Sequence, residues 1–123
     1  MKAIIAGSRE LNDYALLLKH CDLVHEQHGP ITEVISGTAQ GADQLGERWA
    51  KEHNIPVKRM PADWNKYGKS AGYKRNEQMA DIADCLIAFD LGTRGTMHMI
   101  NIAKERNLKC YIVRIKNNEL PGR

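Results

Sequence analysis

The chain has 123 residues, a length that suits one ordinary domain and buries roughly two thirds of its unfolded surface without needing a metal or a disulfide. With 42% hydrophobic and 27% charged residues, the composition excludes a disordered chain. Net charge is +3, from 18 basic and 15 acidic side chains spread along the sequence, which is not the clustered basic face of a non-specific DNA binder.

The first apolar run, residues 2–6, reads as a strand that ends at Gly7. Residues 13–28 carry Tyr14, Leu17, Leu18, Cys21 and Val24 at helical spacing. Asn12 or Asp13 caps this helix and Gly29-Pro30 ends it. Residues 32–36 form a second strand ending at Gly37, and residues 42–53 a helix with an apolar stripe of Leu45, Trp49 and Ala50. Residues 55–60 make a third strand. Residues 61–68, with two aromatics, a proline and a glycine, read as an ordered loop, and residues 70–83 as a helix. Residues 85–89 are apolar throughout, as in a strand covered on both faces. Residues 96–106 are helical and residues 109–115 form the last strand. Cys85 and Cys110 fall within apolar runs that read as buried strands, and with Cys21 they are expected to be reduced thiols.

Alternating strands and helices predict an α/β fold: a Rossmann-like, doubly wound parallel sheet of five strands in the order 3-2-1-4-5, with helices on both faces. Residues 1–115 would form this one domain and residues 116–123 a polar tail. With no long apolar segment, the expectation is a cytoplasmic protein with no membrane contact. In such sheets ligands bind beyond the carboxyl ends of the strands, where strand order reverses.

Three strand ends there carry glycine turns. The first is Gly7-Ser8-Arg9, where Arg9 is either a fork for phosphate or carboxylate or a surface arginine beside a tight turn. The second runs from Ser36 and Gly37 to Gly41 and Asp43, small residues leading into a helix start whose amides favour an anion. Asp43 either supports that helix end or takes a ribose hydroxyl. The third runs from Asp90 through Gly92 and Gly95 to Thr96, which caps the next helix or donates its hydroxyl to a phosphate. Arg75 and Asn76, early in the helix before strand 4, face the same end of the sheet. Together these residues predict binding of a nucleotide or nucleotide-derived phosphate ligand. No metal-ligand spacing, dinucleotide fingerprint, Walker sequence or serine-nucleophile elbow occurs. His98, placed in the first turn of the helix after strand 4, is read as structural or ligand-stacking, with catalysis the alternative.

The motifs GSR, SGTAQGAD, PADWNKYGKSAGYKRNEQM and IAFDLGTRGTMHMI, in this order over residues 2–113, resemble the YspA-like SLOG family. The family is more distantly similar to DNA-processing protein A and to the cytokinin-activating phosphoribohydrolases. The resemblance implies a glycine-lined nucleotide pocket and either sensing or cleavage of an N-glycosidic bond. In the phosphoribohydrolases a catalytic glutamate stands three residues after the threonine of the turn Gly-Gly-x-Gly-Thr. The matching residue here is Met99, while the arginine preceding strand 4 is matched by Arg75. Binding or sensing without turnover is therefore the leading expectation. The alternatives are a hydrolase of N-glycosidic or phosphate bonds, with Asp43, Asp90 and His98 as catalytic candidates, and a nucleic-acid interaction. No cofactor is firmly implied, although an ADP-ribose-like ligand fits. The resemblance also implies a homodimer, with Trp64, Tyr67 and Tyr73 either at a subunit interface or forming a lid on their own domain.

Overall fold

A computed structural model describes residues 1–115. Five strands, β1 (Lys2–Gly7), β2 (Glu33–Ser36), β3 (Val57–Arg59), β4 (Cys85–Asp90) and β5 (Lys109–Arg114), form one parallel sheet in the order β3-β2-β1-β4-β5. Both the order and the parallel pairing agree with the sequence-based expectation. The helices are α1 (Tyr14–Gln27), α2 (Ala42–Glu52), α3 (Trp64–Tyr67), α4 (Ala71–Ile82) and α5 (Arg94–Glu105), and a 3-10 turn, Gly68–Ser70, joins α3 to α4. No helix among the described residues is long and apolar enough to cross a membrane. The polar tail expected over 116–123 lies outside the described residues.

The two-residue period of a strand sorts its side chains into two cores. Ala3, Ile5, Val34, Ile87 and Phe89 pack on one face against Leu17, Cys21 and Val24 of α1 and Trp49 and Ala50 of α2. Ile4, Ala6, Ile35, Leu86 and Ala88 pack on the other against Met79 and Ala80 of α4 and Met99, Ile100 and Ala103 of α5. Helices therefore cover both faces, and β1 and β4, side by side with crossovers departing in opposite directions, mark the place where strand order reverses.

Local chemistry sets the element ends. The Asp13 carboxylate caps α1 by accepting from the Leu16 amide at 3.1 Å. Strand β3 is shorter than the apolar run that encodes it, because the Ile55 amide closes the end of α2 on the Ala50 carbonyl at 2.8 Å and Pro56 has no N–H to donate. The expected loop over 61–68 contains a helical turn, α3, whose Asp63 cap accepts from the Lys66 amide at 3.1 Å. Helix α5 starts two residues earlier than expected, with Thr93 rather than Thr96 at the cap position, so His98 falls in the second turn. Cys85 is buried, whereas Cys110 is only partly so, because β5 is an edge strand.

One backbone position governs how the first two loops meet. Gly41 has φ of 77°, and a Cβ there would stand 2.3 Å from the Ser8 carbonyl oxygen. A Cβ at Gly95, inside α5, would have nothing within 4 Å. Gly41→Ala should therefore cost about 3 kcal/mol, whereas Gly95→Ala should be neutral or stabilise by up to about 1 kcal/mol. Urea denaturation of the two variants beside the parent measures the contrast, and equal midpoints would refute it.

Candidate functional site

A cleft of about 460 Å³ opens beyond the carboxyl ends of β1 and β4, in the range of small-molecule sites. Its floor is Ala6, Gly7 and Ser8. Ala39 and Asp43 close one side, Thr93, Gly95, Thr96 and Met99 another, and Gly72, Tyr73, Arg75, Asn76 and Met79 of α4 a third. Arg9, Glu10, Trp64 and Lys69 complete the rim. Three cationic side chains, Arg9, Lys69 and Arg75, thus face the cleft with two acidic ones, Glu10 and Asp43.

The floor is knitted by the backbone of Ser8. Its carbonyl accepts from the amides of Leu11 (3.3 Å) and Ala42 (3.2 Å), and its hydroxyl accepts from the Glu10 amide (3.1 Å). Ser8 is consequently buried. This arrangement consumes the first amide of α2, which the sequence had marked as an anion donor. Two more amides of that loop are also satisfied internally: the Thr38 amide donates to Ser36 Oγ and the Ala39 amide to Asp43 Oδ2, each at 3.1 Å. Ser36 in turn donates its hydroxyl to Glu47, away from the cleft. The start of α5, like that of α2, has no side-chain cap, and Thr93, Gly95 and Thr96 there form cleft wall, so helix-start amides lie on this side of the cleft as anion donors. The hydroxyls of Thr93 and Thr96 lie 2.9 Å apart at the same place.

Arg75 and Asp43 converge on Gly37. A Cβ at Gly37 would stand 2.8 Å from Arg75 Nη1 and 2.8 Å from Asp43 Oδ2, so only glycine leaves room for both. Arg75 donates from Nη1 to the Gly37 carbonyl and from Nε to Asn76 Oδ1 at 3.1 Å. A guanidinium only donates, so this contact fixes the Asn76 amide with Nδ2 turned to the Gly95 carbonyl (3.4 Å) and to His98 Nδ1 (3.1 Å). His98 Nδ1 is thereby the acceptor, and the ring is neutral with its proton on Nε2. Burial also holds the imidazole below its ordinary pKa, opposed by Glu77 and Glu105. The His98 ring packs against Tyr73, centroids 4.4 Å apart.

Burial raises the Asp43 carboxyl to about 6, against the lowering effects of the Ala39 amide, Arg75 and Arg9. Arg75 is itself lowered by burial and supported by Asp43.

The sequence profile of the YspA, cpYpsA-related SLOG family matches residues 1–67, more than half of the chain. The chain belongs to this family. It is similar to the gene 61 protein of Mycobacterium phage D29, 32% identical over 115 residues that cover 87% of this chain and 91% of that protein. Its fold is similar to DNA processing protein A of Streptococcus pneumoniae, with a TM-score of 0.70 at 14% identity over 91% of this chain and 49% of that one. The chain thus spans about half the length of that structure, and the likeness is one of fold.

Of the sequence-selected residues of this SLOG-family chain, Gly7, Ser8, Arg9, Asp43, Arg75, Asn76, Gly95 and Thr96 line the cleft. Ser36, Gly37, Gly41, Asp90, Gly92 and His98 do not, and each takes a supporting place. Asp90 accepts from the Gly92 amide at 2.8 Å and pairs with Arg114 Nη1 at 2.7 Å. His98 stands behind Asn76 and Tyr73. Lys69 was missed by the sequence reading. Its position just before the α4 start was the only signal, since lysine in a polar stretch reads as ordinary surface.

The Asp43 shift has a consequence for stability. A carboxyl raised from about 4 unfolded to about 6 folded binds its proton more tightly in the native state, so its contribution is greatest at low pH and is lost as pH rises through 6. Between pH 4 and 7 the parent should lose about 2 kcal/mol relative to Asp43→Asn. Denaturant titrations of both proteins across this range test it. Parallel pH profiles would show that Asp43 ionises normally.

Proposed function

We propose that the cleft binds a nucleotide or nucleotide-derived phosphate ligand and that the protein acts as a binding or sensing domain. The observation that carries this reading is the convergence of Arg9, Arg75 and the uncapped start of α5 on one cleft at the point where strand order reverses. Guanidinium forks and helix-start amides are complementary to a phosphate. Membership in the SLOG family is consistent with it.

Met99 supports binding over turnover. It lines the cleft at the position where the resembled phosphoribohydrolases keep a glutamate, it is only 1% exposed, and a thioether neither donates nor takes a proton. Asp90, the acid nearest the third glycine turn, is committed to Arg114.

One observation favours hydrolysis as a second reading: Asp43 lines the cleft with its carboxyl raised to about 6, a value suited to proton transfer near neutral pH. Incubation with AMP, CMP, NAD and ADP-ribose, followed by chromatography, separates the two. Unchanged ligands are expected. Free base or ribose phosphate, lost in Asp43→Asn, would establish the hydrolase.

Arg9 offers the cleanest test of the phosphate reading, because its side chain is exposed and its removal leaves the core untouched. Arg9→Ala should weaken nucleotide binding about tenfold, the equivalent of about 1.4 kcal/mol, with the unfolding midpoint unchanged. Calorimetric titration checks it, and undiminished affinity would remove Arg9 from the site.

A further inference from the structure

We propose that Trp64 and Tyr73 form a base-binding face of the cleft, on which the aromatic ring of a nucleotide stacks while its phosphate lies against Arg9 and Arg75. The proposal rests on the phosphate reading above and adds the part of the ligand that reading leaves open.

Among the described residues the exposed large hydrophobic side chains are Trp64, Tyr73 and Met97, at 56%, 44% and 42%. Two of these three stand on the rim of the same cleft. A ring left in water at such a place is an unfilled contact, whereas scattered surface apolar groups need no explanation. The other tryptophan shows the contrast. Trp49 is fully buried, stacks on His53 with centroids 4.5 Å apart, and donates its indole N–H to Asp22 at 2.9 Å.

Both rim rings are carried on restrained backbone. Trp64 opens α3, which is tied at its start by the Asp63 carboxylate and at its end by the Gly68 amide on the Trp64 carbonyl. The following turn is held by Ser70 Oγ on the Tyr67 carbonyl at 2.9 Å. Tyr73 rests on His98, which is fixed by Asn76, which is fixed in turn by Arg75. The same guanidinium that faces the phosphate position therefore sets, through two side chains, the ring that faces the base position. Aromatic faces beside cations are the combination that recognises a nucleotide rather than a sugar phosphate. A free nucleotide and a single-stranded nucleic acid present this same chemistry.

Trp64 reports directly on the proposal, because Trp49 is sealed in the core. The experiment measures tryptophan fluorescence during titration with AMP, GMP, CMP and UMP, and compares affinities with those of ribose 5-phosphate and adenosine by calorimetry. At least one nucleotide should quench Trp64 emission and bind about tenfold or more tightly than ribose 5-phosphate. Trp64→Ala should lower that nucleotide to the level of ribose 5-phosphate while leaving ribose 5-phosphate unaffected, and Trp64→Phe should restore most of the difference. Tenfold tighter binding of a short single-stranded oligonucleotide, also dependent on Trp64, would support the stacking face and assign its source to a strand. Tighter mononucleotide binding would support it and assign a free ligand. Equal affinity of all nucleotides and ribose 5-phosphate, or equal weakening of both by Trp64→Ala, would overturn the proposal. Adenosine binding as tightly as AMP would instead overturn the phosphate reading and leave the stacking face standing. Silence of every ligand would overturn both.

Discussion

The carbonyl oxygen of Ser8 is the point on which the site is built. It accepts two amides, one from its own loop at Leu11 and one from the start of α2 at Ala42. This double acceptance joins the ends of β1 and β2 into one surface. It also demands that the chain at Gly41 pass within contact of Ser8, in a conformation that side chains rarely adopt. The cleft floor, the start of α2 and the position of Asp43 all follow from that approach.

A second constraint acts from the opposite core. Arg75 and Asn76 belong to α4, on the face of the sheet away from α2, yet Arg75 reaches the Gly37 carbonyl at the end of β2. It therefore clamps the two layers together across the strand ends. Its charge is balanced by Asp43 in a setting that desolvates both. A half-buried cation held by a backbone carbonyl and a side-chain amide is preorganised, since an arriving anion need not order it.

The strand-2 loop and the strand-4 loop resemble each other in sequence, and their chemistry in the fold differs. The first spends three of its amides, those of Thr38, Ala39 and Ala42, on Ser36, Asp43 and Ser8. Neither of the helices that follow has a side-chain cap, but the second loop presents small residues and two hydroxyls to the cleft. The glycine-rich composition common to both turns carries no sign of this division. It arises because Asp43 sits one helical position inside α2, where its carboxylate turns back on its own loop, whereas α5 has Arg94 at its first position and no acid in its first turn.

The sequence alone determined the sheet. Short apolar runs separated by helical periodicity dictate parallel strands with right-handed crossovers, and few topologies satisfy both, so the order 3-2-1-4-5 was legible before any coordinates. The end of the sheet that carries the cleft was legible too, because glycine turns mark where strands stop. Other features were decided only by tertiary structure: that Gly37 makes room for Arg75 and Asp43, that Asp90 is occupied by Arg114, that Asn76 holds His98, and that α3 sets an indole on the rim. Periodicity and turn chemistry act over a few neighbouring residues and are written in local sequence. The contacts that complete the site join residues 22 to 38 apart, and their partners are chosen by how the two helical layers cross the ends of the strands.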